Sequence, residues 1–250
     1  AQYLTDKRNA SVVVVGILYA LSGFMLAYSC TFMWLDVVAL LPLVVMALEH
    51  ALKTGKITGY ALLLGLALFA NYYIGFMVCV FLVLYWFVWV FRKKRTLKEI
   101  FFGGVRFGAG SLWGAGMAAA LLIPVALALG RTSAAGGELG DFRTNFQIFD
   151  LFGRMFYGVT PTIRSGNLPN LYCGVAAVVL LPIYFGQKQI SLRRRICYGG
   201  LLAIMLLSCT ITRWDLVWHG LHSPNDLPYR FSFLTIFVVL LLMTFTLGQI

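Results

Sequence analysis

Charged side chains are scarce in this chain. Aspartate and glutamate together number nine in 250 residues, and all charged residues make up 12%, about half the share with which soluble domains cover their surface. That scarcity excludes a cytosolic enzyme, and the high apolar content excludes a disordered chain. The five cysteines, at 30, 79, 173, 197 and 209, are too few for a secreted disulfide scaffold and show no metal-ligand spacing. They read as small buried apolar side chains. Walker A, GxSxG and HExxH patterns are missing as well, which removes the common ATPase, serine-hydrolase and zincin readings.

What the sequence has in abundance is apolar length, with 60% hydrophobic residues. A crossing of the hydrocarbon core takes about 20 helical residues at 1.5 Å each. The run from Ser11 to Glu49 would be about 58 Å long as one helix and must fold back once. Its break falls at Ser29-Cys30-Thr31, giving spans at about 11–30 and 33–49. The run from Ile57 to Phe91 turns at Asn71-Tyr72-Tyr73. A fifth span covers about 101–129, with Pro124 expected to kink it near its far end, and three more cover about 171–186, 196–212 and 231–250. The expected fold class is therefore all-α: a single integral-membrane domain over 1–250, a polytopic bundle of about eight transmembrane helices.

Twenty Lys and Arg give a formal charge of +11, and their placement explains them. One set of alternate turns carries 13, around Lys7, Lys53, Arg92–Arg95 and Arg193–Arg195, and the other carries six, all arginine. The positive-inside rule puts the richer side, and the N-terminus, in the cytoplasm. The excess is then a topology signal that can also attract anionic lipid heads. Nucleic acid is not an expected partner, because the charges form no contiguous face. Arg106, inside the fifth span, reads as a snorkelling side chain.

Two connections on the other side, 130–170 and 213–230, are longer than a turn requires and are expected to be external. In the first, Phe142, Phe146, Phe149, Phe152 and Phe156 recur at helical spacing, so Phe142–Tyr157 is expected to form an amphipathic helix on the membrane surface or a lid without chemistry. The second holds Asp215, Trp218, His219, His222, Asn225, Asp226, Tyr229 and Arg230. An interface belt accounts for its aromatics and leaves the His, Asp, Asn and Arg unexplained.

Each candidate has two readings. Asp36, one turn inside a span, is either a site carboxylate or a charge favoured by a helix N-terminus. Asn71, Tyr72 and Tyr73, like Asn170 and Tyr172, either line a cleft or form an interfacial turn. His219 and His222 could ligate a metal only with Asp215 and Asp226, in a setting too irregular for a rigid pair. The stronger reading pairs His219 with Arg230 as phosphate donors, since the guanidinium fork matches phosphate. No metal site or cofactor is assigned on these residues, and the cofactor requirement is left unknown.

The ordered set Tyr19–Gly23, Met33-Trp34-Leu35-Asp36, Asn71–Gly75, Leu168–Gly174 and Trp218-His219-Gly220 through Pro228-Tyr229-Arg230-Phe231 resembles the YfhO family of bacterial membrane proteins across nearly the whole chain. Asp226-Leu227 stands where that family tends to carry aromatics. The resemblance implies a GT-C type glycosyltransferase of the bacterial cell membrane. Such an enzyme passes a sugar from a polyprenyl-phosphate donor to an envelope polymer such as lipoteichoic acid on the outer face. It also implies a longer protein, whose catalytic acid lies upstream of Ala1, so that this piece is expected to be inactive alone. Within the chain, Arg230 and His219 are then expected to hold the lipid phosphate and Asp36 to be a supporting carboxylate. Asn71, Tyr72, Tyr73, Asn170, Tyr172, Asn225 and Tyr229 would line the substrate cleft. The rivals are a transporter or lipid flippase, which would place polar groups near the bilayer midplane, and a non-catalytic scaffold of envelope synthesis.

Overall fold

The computed structural model describes residues 10–129, 131, 143–163, 168–221 and 227–249. Among these residues there are twelve helices and one isolated β-bridge, between Thr144 and Ile211. Helices are what long apolar runs require, because each satisfies its own backbone polar groups in lipid. The chain divides into two compact units, residues 1–30, 91–93 and 140–250, and residues 31–90 and 94–139.

The second of these units begins with α3 (Phe32–Thr54), α4 (Thr58–Ala70) and α5 (Tyr72–Phe91). It ends with α6 (Leu97–Met117) and α7 (Ala119–Leu129). Gly55, at φ +85°, ends α3 in the left-handed conformation that favours glycine. Asn71 separates α4 from α5, and its Oδ1 accepts from the Ile74 amide at 2.9 Å, capping α5. Thr96 and Glu99 form a reciprocal capping box at the head of α6. α4 packs between α3 and α6 through small residues. A Cβ at Gly114 would lie 2.9 Å from the Ala61 carbonyl oxygen, so only glycine permits this approach. Tyr60 and Ser111 hydroxyls meet across the same seam at 2.8 Å. Glu49 is fully buried on α3 and accepts from the Tyr85 hydroxyl at 2.7 Å.

The other unit is built on α12 (Ser232–Leu247), of whose sixteen residues fourteen are buried, as befits a helix apolar all round. Around it stand α1 (Ala10–Ala20), α9 (Val175–Gly186) and α10 (Leu192–Thr210). Three shorter pieces complete the unit: α2 (Gly23–Ala27), α8 (Asp150–Gly153) and α11 (Thr212–Trp218).

Helix breaks fall at Tyr28–Thr31 and at Asn71, as the polar interruptions predict. Among the described residues two helices, α3 and α5, are long and apolar enough to cross a membrane, and α6 with α7 makes a third if that pair is one bent span. Two details of the sequence reading are corrected. The bend of the fifth expected span lies at Ala118, where α7 leaves α6 at 83°, and Pro124 sits inside α7. The weak point is the glycine-rich end of α6, Gly114-Ala115-Gly116, where the backbone lacks side chains to stiffen it. Phe142–Tyr157 is not one amphipathic helix. Only α8 is helical, within a run of i→i+3 turns from Gln147 to Phe156, and Phe142 lies outside the described residues. Residues 143–145 are drawn off into pairing with the α10–α11 junction, and a three-residue phenylalanine spacing suits tight turns as well as a helix. The aromatics remain outward, with Phe149 75% and Tyr157 84% exposed.

Candidate functional site

The polar end of the α12 unit is assembled where α10 gives way to α11. The Asn145 amide donates to the Thr210 carbonyl at 2.7 Å, and the Thr212 amide donates to the Arg143 carbonyl at 3.0 Å. The Thr212 hydroxyl reaches both Arg143 O and Asn145 Oδ1. These bonds fix the entry of α11, whose Asp215 and cap residue His219 are four apart and so share a face. Asp215 Oδ1 and His219 Nε2 are 3.4 Å apart, with the residues 7% and 1% exposed. Phe231 closes over them, stacked on Trp218 at 5.0 Å and edge-on to His219 at 6.3 Å.

Gly220 explains how the chain leaves this helix. At φ +70° it takes the left-handed position of a Schellman cap, with the Leu221 amide bonded to the Leu216 carbonyl at 2.8 Å. Leu221, Leu227 and Tyr229 also have positive φ, at 67°, 50° and 57°. Such backbone costs a non-glycine residue roughly 1–2 kcal/mol each. Strain of this kind persists only where the surroundings over-determine it. Here the Tyr28 hydroxyl donates to Pro228 O at 2.9 Å, and Arg230 Nε donates to Leu227 O at 2.9 Å. Tyr229 is buried against Phe146, and its phenol is raised above its ordinary range first by burial and then by Asp215 and Cys209. A hydrogen bond with Asn145 opposes that shift.

Beside it lies the Leu168–Gly174 segment. Asn170 is buried, and its amide closes the preceding loop. Nδ2 donates to Thr162 O at 2.7 Å, while Oδ1 accepts from the Thr162 amide and from Arg154 Nη2, each at 3.0 Å. Arg154 also donates to Pro169 O, and burial lowers the pKa of its guanidinium. Tyr172 is half-exposed, its ring edge-on to Tyr157 and its carbonyl accepting from the Gly23 amide at 2.7 Å. Gly174 takes φ +95° against Leu18. The breaks between α1 and α2, before α9 and before α12 are thus cross-linked at one end of this unit.

Asn170, Tyr172, His219, Tyr229 and Arg230 therefore share one unit, whereas Asp36, Asn71, Tyr72 and Tyr73 belong to the other. Asp36 is exposed, one turn into α3, and Tyr72 and Tyr73 are half-exposed at the start of α5. Asn225, with His222 and Asp226, lies outside the described residues. Among the described residues no three His, Cys, Asp or Glu side chains are grouped to hold a metal. The sequence reading missed three contributors: Asp215 as the partner of His219, Arg154 as the clamp on Asn170, and Asn145. Only the first left a signal, the i,i+4 spacing of Asp215 and His219.

Apolar helices of spanning length define an integral membrane protein. The chain belongs to the YfhO family: the family model described as bacterial membrane protein YfhO matches residues 1–250. No curated protein and no solved structure matches the chain.

Proposed function

We propose that the chain is the membrane frame and part of the site of a glycosyltransferase. It moves a sugar from a polyprenyl-phosphate donor to an envelope polymer such as lipoteichoic acid on the outer face of the membrane. The observation that carries this reading is the contact of Tyr19–Gly23 with Leu168–Gly174, through Gly23 and Tyr172, and of nearby Tyr28 with Pro228 of the Trp218–Phe231 motif, at one end of a single unit. In this proposal residues 1–250 are a single integral-membrane domain with eight crossings, the shorter helices included. Its N-terminus is cytoplasmic, and 130–170 and 213–230 are external.

Arg230, half-exposed beside strained backbone, offers its guanidinium fork to the departing lipid phosphate. His219 is the inner of the two donors, seated on Asp215. A carboxylate takes the proton of the acceptor hydroxyl as the sugar–phosphate bond breaks, and Asp36 supports it. Tyr172 and Asn225 are substrate-binding residues of one unit in this proposal, and Asn71, Tyr72 and Tyr73 of the other. Asn170 and Tyr229, both buried, complete the substrate-binding set of the first unit. The gathering of Asn170, Tyr172, His219, Tyr229 and Arg230 at one end of a unit favours surface chemistry over transport through the midplane.

The test is transfer of labelled sugar to acceptor polymer by the whole protein in proteoliposomes. Arg230→Ala is expected to lower the rate by about 100-fold, the size of a lost charge-stabilising donor. Unchanged transfer and donor binding in both Arg230→Ala and His219→Ala would remove the phosphate assignment.

A further inference from the structure

The opposite end of the α12 unit carries a cluster of positive charge that the proposed chemistry does not use. Residues 171–210 contain no aspartate or glutamate, yet Lys188, Arg193, Arg194 and Arg195 fall on the α9–α10 turn and the first turn of α10. Arg92 joins them, its Nη1 donating to the Tyr198 hydroxyl at 2.8 Å. Arg92 and Arg193 both lie within electrostatic reach of the Cys197 side chain.

The way these arginines are held matters more than their number. The Arg194 guanidinium lies 4.0 Å over the Phe245 ring and 5.9 Å from that of Tyr198, and the two rings pack edge-on at 5.0 Å. Arg195 donates to the Phe185 carbonyl. Arg193, Arg194 and Arg195 make no ion pair with a carboxylate among the described residues, and the Nε atoms of Arg194 and Arg195 are buried without a hydrogen bond. Aromatic faces and carbonyls orient a guanidinium without neutralising it. The nineteen-residue α10 adds the positive end of its dipole, entered through Ser191, whose hydroxyl accepts from the Arg194 amide. Fixed forks, an aromatic floor and a helix start converge on one place, and no carboxylate among the described residues pairs with Arg193, Arg194 or Arg195.

We propose that this place seats the phosphodiester headgroup of an anionic phospholipid. Phosphate is the anion whose geometry the planar fork matches. Lipid is favoured over a free phosphate by the flanks: Leu192 and Ile196, four apart on one face of α10, are 64% and 63% exposed. They offer acyl chains an apolar track beside the charge. The proposal rests on the membrane assignment alone and stands whether or not the chain takes part in sugar transfer.

Native mass spectrometry of the whole protein in detergent, loaded from vesicles of phosphatidylglycerol or of phosphatidylcholine, tests it. Wild type is expected to retain phosphatidylglycerol about tenfold over phosphatidylcholine, as charge-assisted forked bonds allow. R193Q/R194Q is expected to lose that preference, while K53Q/K56Q, which removes equal charge from another basic turn, keeps it. R194K holds the charge and the packed stem without the fork, and is expected to lose at least about half of the preference. Inorganic phosphate at millimolar concentration is expected to leave the lipid bound. Equal losses in the two double variants, full retention in R194K, no preference in wild type, or displacement by inorganic phosphate would each overturn the proposal.

Discussion

At the scale of single residues, burial separates carboxylates that composition treats alike. Asp215 is almost enclosed and faces His219, whereas Asp36 is exposed on α3. Removing one member of a buried polar pair leaves the other's buried group short of a partner, a penalty of about 1–3 kcal/mol. An exposed carboxylate away from such features changes stability by no more than about 0.5 kcal/mol. Asp215→Ala should therefore unfold the whole protein at clearly lower temperature or denaturant in detergent, and Asp36→Ala should not. Equal midpoints for the two variants would show that the Asp215–His219 pair contributes nothing. The i,i+4 spacing of that pair is visible in the sequence, but its burial is not, because Phe231, which packs on Trp218 and His219, comes from the head of α12. Asn170 teaches the converse. Its type and place marked it for a cleft, yet its amide is engaged with Thr162 and Arg154, partners that no local pattern announces.

At the scale of elements, hydropathy located the helices and misjudged where they deform. Polar interruptions at Ser29–Thr31 and Asn71 mark helix ends because Asn and Ser bond to nearby backbone. The bend at Ala118 carries no such flag, since it lies in a glycine-rich stretch that reads as uniformly apolar. Proline was the wrong guide there. Pro124→Ala should leave the angle between α6 and α7 unchanged, as measured by electron-electron distances between spin labels at Val105 and Leu127. A straightened pair in that variant would restore Pro124 as the cause. The Phe142–Tyr157 stretch was misread for a related reason. A phenylalanine period near three or four cannot distinguish an α-helix from successive tight turns, and the pairing of Thr144 with Ile211 is long-range.

At the scale of the whole molecule, membrane class and family were legible early, because apolar runs and the order of several motifs are properties of the entire chain. The site was only partly legible. The contacts that join Tyr19–Gly23, Leu168–Gly174 and the head of α12 run between segments more than 140 residues apart. Arg230 and His219 lie at the end of the α12 unit that holds these contacts, and the arginines of α10 lie at the other, where Arg194 covers Phe245. Two different phosphates are thus proposed at two ends of one unit, the donor's at Arg230 and a structural lipid's at Arg194. A photoreactive polyprenyl-phosphate probe, cross-linked to the whole protein in proteoliposomes and mapped by peptide mass spectrometry, separates them most directly. The account predicts cross-links within 168–174 and 213–231 that Arg230→Ala abolishes. Cross-links confined to 188–197, or unaffected by Arg230→Ala, would contradict it.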